Sequence, residues 1–127
     1  MSDGWESVNV GDLDAIPFGE GLVCHPVRRR LGIRAFGVNA YTSEETGGQV
    51  VEEHDETGSG AGGHEELYVV MRGRARFTID GEVLDAPAGT LVFISDPKVK
   101  RVAISEEEGT LVVAVGGEPG RAYEISP

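Results

Sequence analysis

Between residues 67 and 115 the chain is cut into short apolar or alternating runs, each closed by a turn. The runs are 67–71, 74–79, 83–84, 90–94, 98–104 and 110–115. Between them stand Gly73, Asp80-Gly81, Ala86-Pro87-Ala88-Gly89, Asp96-Pro97 and the acidic Glu106-Glu107-Glu108-Gly109. Runs this short, rich in valine and isoleucine, do not sustain a helical stripe over several turns, and they suit strands. In 74–79, Ala75, Phe77 and Ile79 alternate with Arg74, Arg76 and Thr78, as a half-buried strand requires. Asp80-Gly81 fits a two-residue hairpin, whose turn needs left-handed backbone at both positions. The spacing predicts an all-β antiparallel architecture, closed or sandwiched, with alternate residues lining a lumen.

A chain of 127 residues, 39% of them apolar, is the size of a single domain with one core. Residues 1–37 read as an N-terminal arm and first strands, 38–115 as the barrel core and 116–127 as a C-terminal tail. Asp and Glu number 22 against 11 Lys and Arg, a formal charge of −11, which disfavours nucleic acid and anionic membranes as partners. No apolar run approaches bilayer length, and the N-terminus lacks the basic and apolar segments of a signal peptide. The one cysteine, Cys24, excludes an internal disulfide, reads as a small buried side chain and points to a cytoplasmic location.

Several side chains carry expectations of their own. Trp5 and Phe18 read as anchors pinning the arm to the body, and Phe77 and Phe93 as core. The run 31–41 alternates like a strand. Arg28-Arg29-Arg30 before it is either a solvated turn or a clamp for an anionic ligand. His25, before Pro26, reads as structural, and Tyr41 as a border of a pocket. Residues 55–63 hold Gly58, Gly60, Gly62 and Gly63, a composition for a mobile loop that either closes over a mouth as a lid or is plainly disordered. Tyr123 and Ile125 read as packing back from the tail.

The chemistry-bearing groups lie in and after the stretch 48–73. Gly48 is followed by five residues and then His54-Asp55-Glu56; Glu66 is followed by six residues and then Gly73. Further on, Gly89 is followed by five residues, then Ser95, Pro97, Lys100 and Ile104 at the spacing of a second motif. These residues resemble the two motifs of the cupins, a family of double-stranded β-helices, over roughly residues 38–115. The resemblance implies a cupin-type jelly-roll β-barrel. It departs from the family where Glu56 replaces a histidine, where nine residues separate Glu56 from Glu66, and where Lys100 replaces the second motif's histidine. A turn one residue longer would put Arg101 there instead.

In metal-bearing cupins these positions hold Fe, Mn, Ni or Zn, so the resemblance makes His54, Glu56 and Glu66 candidate metal ligands. His64, two residues before Glu66, falls on the same strand face and joins them. The competing arrangement has no metal: Lys100 or Arg101 points inward and pairs with Glu56 or Glu66. Glu56, Glu66, Tyr68, Lys100 and Arg101 are then the candidates for binding a ligand in the lumen. The first reading is a cupin-domain protein that binds a small polar molecule, its metal site degenerate or absent. The alternative is a metal-dependent dioxygenase, isomerase or lyase using His54, His64 and Glu66. The resemblance also implies a homodimer.

Overall fold

A computed structural model describes residues 4–57 and 63–120. It has ten strands: β1 (Ile16–Gly19), β2 (Leu22–His25), β3 (Gly37–Ser43), β4 (Gln49–His54), β5 (Glu65–Arg72), β6 (Arg74–Ile79), β7 (Glu82–Pro87), β8 (Leu91–Ile94), β9 (Arg101–Ser105) and β10 (Leu111–Gly117). A short helix α1 (Val27–Leu31) and a 3-10 turn (Val10–Asp12) complete the described elements. One sheet has the order β1-β2-β3-β10-β5-β8 and the other β4-β9-β6-β7, with every pairing antiparallel. The last strand lies between β3 and β5, and β9 lies between β4 and β6, so the chain crosses between sheets as a jelly roll does. The sheets do not close into a barrel; they face one another as a sandwich.

Alternation places the core. Tyr68, Val70, Val92, Ile94, Val112 and Ala114 of the larger sheet meet Val50, Val51, Ala75, Phe77, Ala86 and Ala103 of the smaller. The Tyr68 and Phe77 rings lie 5.7 Å apart across that space. Asp80 and Gly81 both have positive φ, 46° and 85°, and join β6 to β7 as a tight hairpin.

Four expectations are corrected. The run 31–41 is not one strand: α1 takes its first residue, and β3 begins only at Gly37. The arginines Arg28-Arg29-Arg30 are helical and not a turn, because Gly32, in the left-handed region at φ 72°, ends a single helical turn. Trp5 and Phe18 are 72% and 55% exposed and do not anchor the arm. Phe93, expected in the core, is 58% exposed, because Val92 and Ile94 take the inward positions of β8. The lid expected of the glycine loop rests on residues 58–62, and the packing of Tyr123 and Ile125 on 121–127; both lie outside the described residues. No helix among the described residues is long and apolar enough to cross a membrane.

Candidate functional site

His54 reaches the interior through an irregularity in β4. Val51 pairs with Ala103, and His54 with Arg101, so three steps along β4 match two along β9. The extra residue is a β-bulge. Without it Glu53 would face inward, whereas here Glu52 and Glu53 are exposed. Two residues on, the Glu56 N–H donates to Pro97 O at 2.8 Å, and the Gly63 N–H donates to Glu56 O at 3.1 Å. The second bond closes the base of the long insertion, which is why nine intervening residues do not carry Glu56 away from Glu66. His64 follows directly, just before β5.

The side chains converge. His54 Nε2 lies 2.7 Å from Glu56 Oε2 and 3.6 Å from Glu66 Oε1, and His64 Nδ1 lies 3.7 Å from Glu56 Oε1. One donor atom each from His54, Glu56 and Glu66 fits within 4.8 Å of the others. Arg101, from the opposite sheet, donates from Nη1 to Glu66 Oε1 at 2.9 Å and to the Tyr68 hydroxyl at 3.4 Å. Its Nε and Nη2 donate to Val99 O at 3.0 and 2.8 Å. Tyr68 donates to the same Glu66 oxygen. Lys100, the other candidate cation, is exposed and stands 3.8 Å from Glu53 Oε2 on the outside. The cause is the turn before β9. The Lys98 N–H donates to Asp96 Oδ1 at 2.9 Å and the Val99 N–H to Asp96 O at 3.1 Å, and the residue this turn takes up moves the inward position from 100 to 101.

The electrostatics follow from these contacts. Hydrogen bonds to Glu56 and then Glu66 push the His54 imidazole up to about 10, so it is an imidazolium at neutral pH. Burial works to raise the Glu66 carboxyl, but hydrogen bonds from His54 and Tyr68 outweigh it, with help from the His54 and Arg101 charges, and hold it below the usual range. Burial pushes the Tyr68 phenol up. An imidazolium beside a carboxylate can give and take a proton, which is the capacity that isomerase and lyase chemistry needs. One imidazole and two carboxylates also suit a first-row divalent cation. Such an ion would be held by His54, Glu56 and Glu66 with His64 alongside, and when bound would supply a Lewis acid. Binding would release the His54 proton and set the ion near the fixed charge of Arg101.

Beside this cluster lies a cavity of about 100 Å³, lined by Arg28, Asn39, Tyr41, His64, Glu66 and Gly116 among others. Tyr41 borders it as its sequence position suggests. Of the three consecutive arginines Arg28 alone faces it, and no sequence signal separates Arg28 from Arg29 or Arg30. Glu65 is on the outer face with Leu67 and Phe93.

No family model matches the sequence, and no curated protein matches it. Solved structures do match. An RmlC-like cupin from Shewanella frigidimarina is 17% identical with a TM-score of 0.64, over 87% of this chain and 88% of that one. A sugar phosphate isomerase of the cupin superfamily from Silicibacter pomeroyi is 13% identical with a TM-score of 0.68, over 89% and 76%. Streptomyces PAC13, solved with uridine, is 15% identical with a TM-score of 0.59, over 87% and 80%. At these identities the likeness is one of fold. Two antiparallel sheets in jelly-roll order and these neighbours together establish that the fold of this chain is cupin-like.

Proposed function

We propose that this chain binds a small polar molecule between its sheets, over a charge network in which Arg101 stands where metal-bearing cupins have their fourth ligand. The buried Arg101 guanidinium, held by Glu66, Tyr68 and Val99, is the observation that carries this reading. The cation neutralises Glu66 without an ion, and the cavity beside it is lined by hydroxyl, amide, imidazole and guanidinium groups. Solved relatives in fold include a sugar phosphate isomerase and a uridine-bound protein, which agrees with a polyhydroxylated ligand. The His54–Glu56 pair equips the site for proton transfer on such a molecule.

The test has two parts. Elemental analysis of protein purified without chelator or nickel resin is expected to give far less than one equivalent of iron, manganese, nickel or zinc. NMR titration of isotope-labelled protein with D-ribose 5-phosphate and uridine is expected to shift amides at residues 39, 41, 64, 66 and 116. Shifts confined to other surfaces would overturn the reading. A second reading, a metal-dependent enzyme on the same site, is favoured by the convergence of His54, Glu56 and Glu66. One equivalent of metal, lost in both His54→Ala and Glu66→Ala, would establish it.

The outer face of the six-stranded sheet carries exposed Met71, Leu91 and Phe93, which supports a homodimer, checked by light scattering after gel filtration. The unpaired Cys24 is consistent with a cytoplasmic protein.

A further inference from the structure

We infer that the cavity beside Glu66 reads two neighbouring oxygens on its ligand, at least one of them a hydroxyl: the hydroxyl donates to Glu66 Oε2, and its neighbour accepts from the Tyr41 hydroxyl. The ligand class is then a vicinal diol or a hydroxyl beside a carbonyl. This rests on the reading that a polar ligand lies between the sheets over the charge network of Arg101. The cavity begins as a gap over β10. On the inward face of that strand stand Ala114 and Gly116, with a methyl group and a hydrogen for side chains. Asn39 and Tyr68 lie on either side of Ala114, and Gly37 and Glu66 on either side of Gly116. β3 and β5, each one strand spacing from β10, are roughly 10 Å apart. With almost no side chain between them, Asn39 and Tyr41 of β3 and Glu66 of β5 wall an opening of about 100 Å³. That volume equals about three liquid waters, so it takes one edge of a ligand.

Each wall keeps one hydrogen-bonding capacity that the fold does not use. Glu66 gives one oxygen to the protein: Oε1 accepts from Arg101 and Tyr68 and has His54 beside it. Oε2 takes no hydrogen bond among the described residues, and it lies 3.6 Å from where a Cβ on Gly116 would stand. The carboxyl is held below its usual range, so this oxygen is purely an acceptor. On the other wall, Asn39 Oδ1 accepts the Val27 N–H at 3.1 Å, which leaves the Asn39 amide nitrogen to donate to the Tyr41 oxygen. Burial pushes the Tyr41 phenol up, so it keeps its proton and offers it as a donor. Neither oxygen is sealed off: among the described residues, the buried side-chain polar atom left without a partner is His25 Nδ1. Arg28 and His64 also line the cavity, but each already has a partner, so neither carries the preference. What remains is one acceptor and one donor, the complement of a hydroxyl beside a second oxygen. A deoxy analogue would leave a carboxylate oxygen and a phenol O–H desolvated and unpaired, which is how such a site rejects it.

The experiment is NMR titration of wild type, Tyr41→Phe and Glu66→Gln with two matched pairs of probes. One pair is uridine and 2′,3′-dideoxyuridine; the other is D-ribose 5-phosphate and 2-deoxy-D-ribose 5-phosphate. Wild type is expected to bind at least one hydroxyl-bearing probe roughly tenfold or more tighter than its deoxy counterpart. Tyr41→Phe is expected to erase most of that ratio at an unfolding midpoint close to wild type. Glu66→Gln, which replaces the acceptor with an amide, is expected to lower it as well; should that variant fail to fold, Tyr41→Phe decides alone. Equal affinity for both members of each pair, or a ratio that survives Tyr41→Phe, overturns the inference. If the shifts still fall at residues 39, 41, 66 and 116, the binding reading stands without it. Shifts confined to other surfaces, or binding of none of the four probes, overturn both.

Discussion

The guanidinium of Arg101, on β9, lies 2.9 Å from the carboxylate of Glu66, on β5, so an ion pair joins the two sheets across the space between them. Arg101 is wholly buried, and each of its three side-chain nitrogens has an acceptor in Glu66, Tyr68 or Val99. A buried charge that is paired and fully hydrogen-bonded is tolerated; one whose partner is removed is not.

Arg101→Met is therefore expected to lower stability by up to about 3–5 kcal/mol, because it takes the buried cation from Glu66 and leaves that carboxylate to Tyr68 and His54. Lys100→Met, on the outside, is expected to change it by no more than about 0.5 kcal/mol. Urea unfolding of both variants checks this. An Arg101→Met midpoint equal to wild type would refute the internal pair.

Protonation of His54 makes stability depend on pH. Its folded value of about 10 exceeds the ordinary 6.5, so its contribution is complete below pH 6.5 and is lost as pH rises through 10. Glu66 works oppositely. Its carboxyl is held low in the fold, so its contribution is present above the ordinary 4.5 and is lost as pH falls through the folded value. With chelator present, stability is expected to fall between about pH 7 and pH 8.5 in wild type and to stay nearly flat over that range in His54→Gln, below the pH at which the raised Cys24, Tyr41 and Tyr68 groups begin to contribute.

Gly116 is expected to govern the position of Glu66. A Cβ there would stand 2.9 Å from Glu65 O and 3.0 Å from Glu66 Cγ, so one of them must move. Gly116→Ala is predicted to cost about 1–3 kcal/mol by overpacking and to weaken binding at the cavity it lines. Its unfolding midpoint and an NMR titration with D-ribose 5-phosphate measure the two effects.

At the β5–β6 corner, Gly73 has φ 76°, and a Cβ would meet Thr110 Oγ1 at 2.5 Å and Thr110 Cα at 2.7 Å. Gly73→Ala is predicted to be more damaging than Gly116→Ala, since left-handed backbone adds about 1–3 kcal/mol of strain to the clash. Thermal unfolding of the two variants side by side ranks them.

Strands and turns were legible because their signals are local: Asp80-Gly81 alone dictates a hairpin, and alternation in 74–79 dictates a face. Phe93 was misplaced because 90–94 is apolar throughout, so alternation leaves no trace of which side faces in. The choice between Lys100 and Arg101 hung on the length of one turn, fixed by the Asp96 bonds to the Lys98 and Val99 N–H groups, which spacing alone does not report. The inward aim of His54 depends on a bulge that exists only once β4 and β9 pair. Arg28 was beyond reach for a similar reason. It enters the cavity because a side chain eleven residues later, Asn39, holds its helix down.

The ion pair between the sheets also acts as an alignment key. Along β9 the inward residues are Arg101, Ala103 and Ser105. If the two sheets slid past each other by one inward position, Glu66 would face Ala103 or Val99, and the guanidinium would lie against hydrocarbon. The charges do not tolerate it: each misaligned packing parts the buried cation from its anion. The sandwich is therefore expected to have one way of docking its halves, and to come apart as a unit when it unfolds.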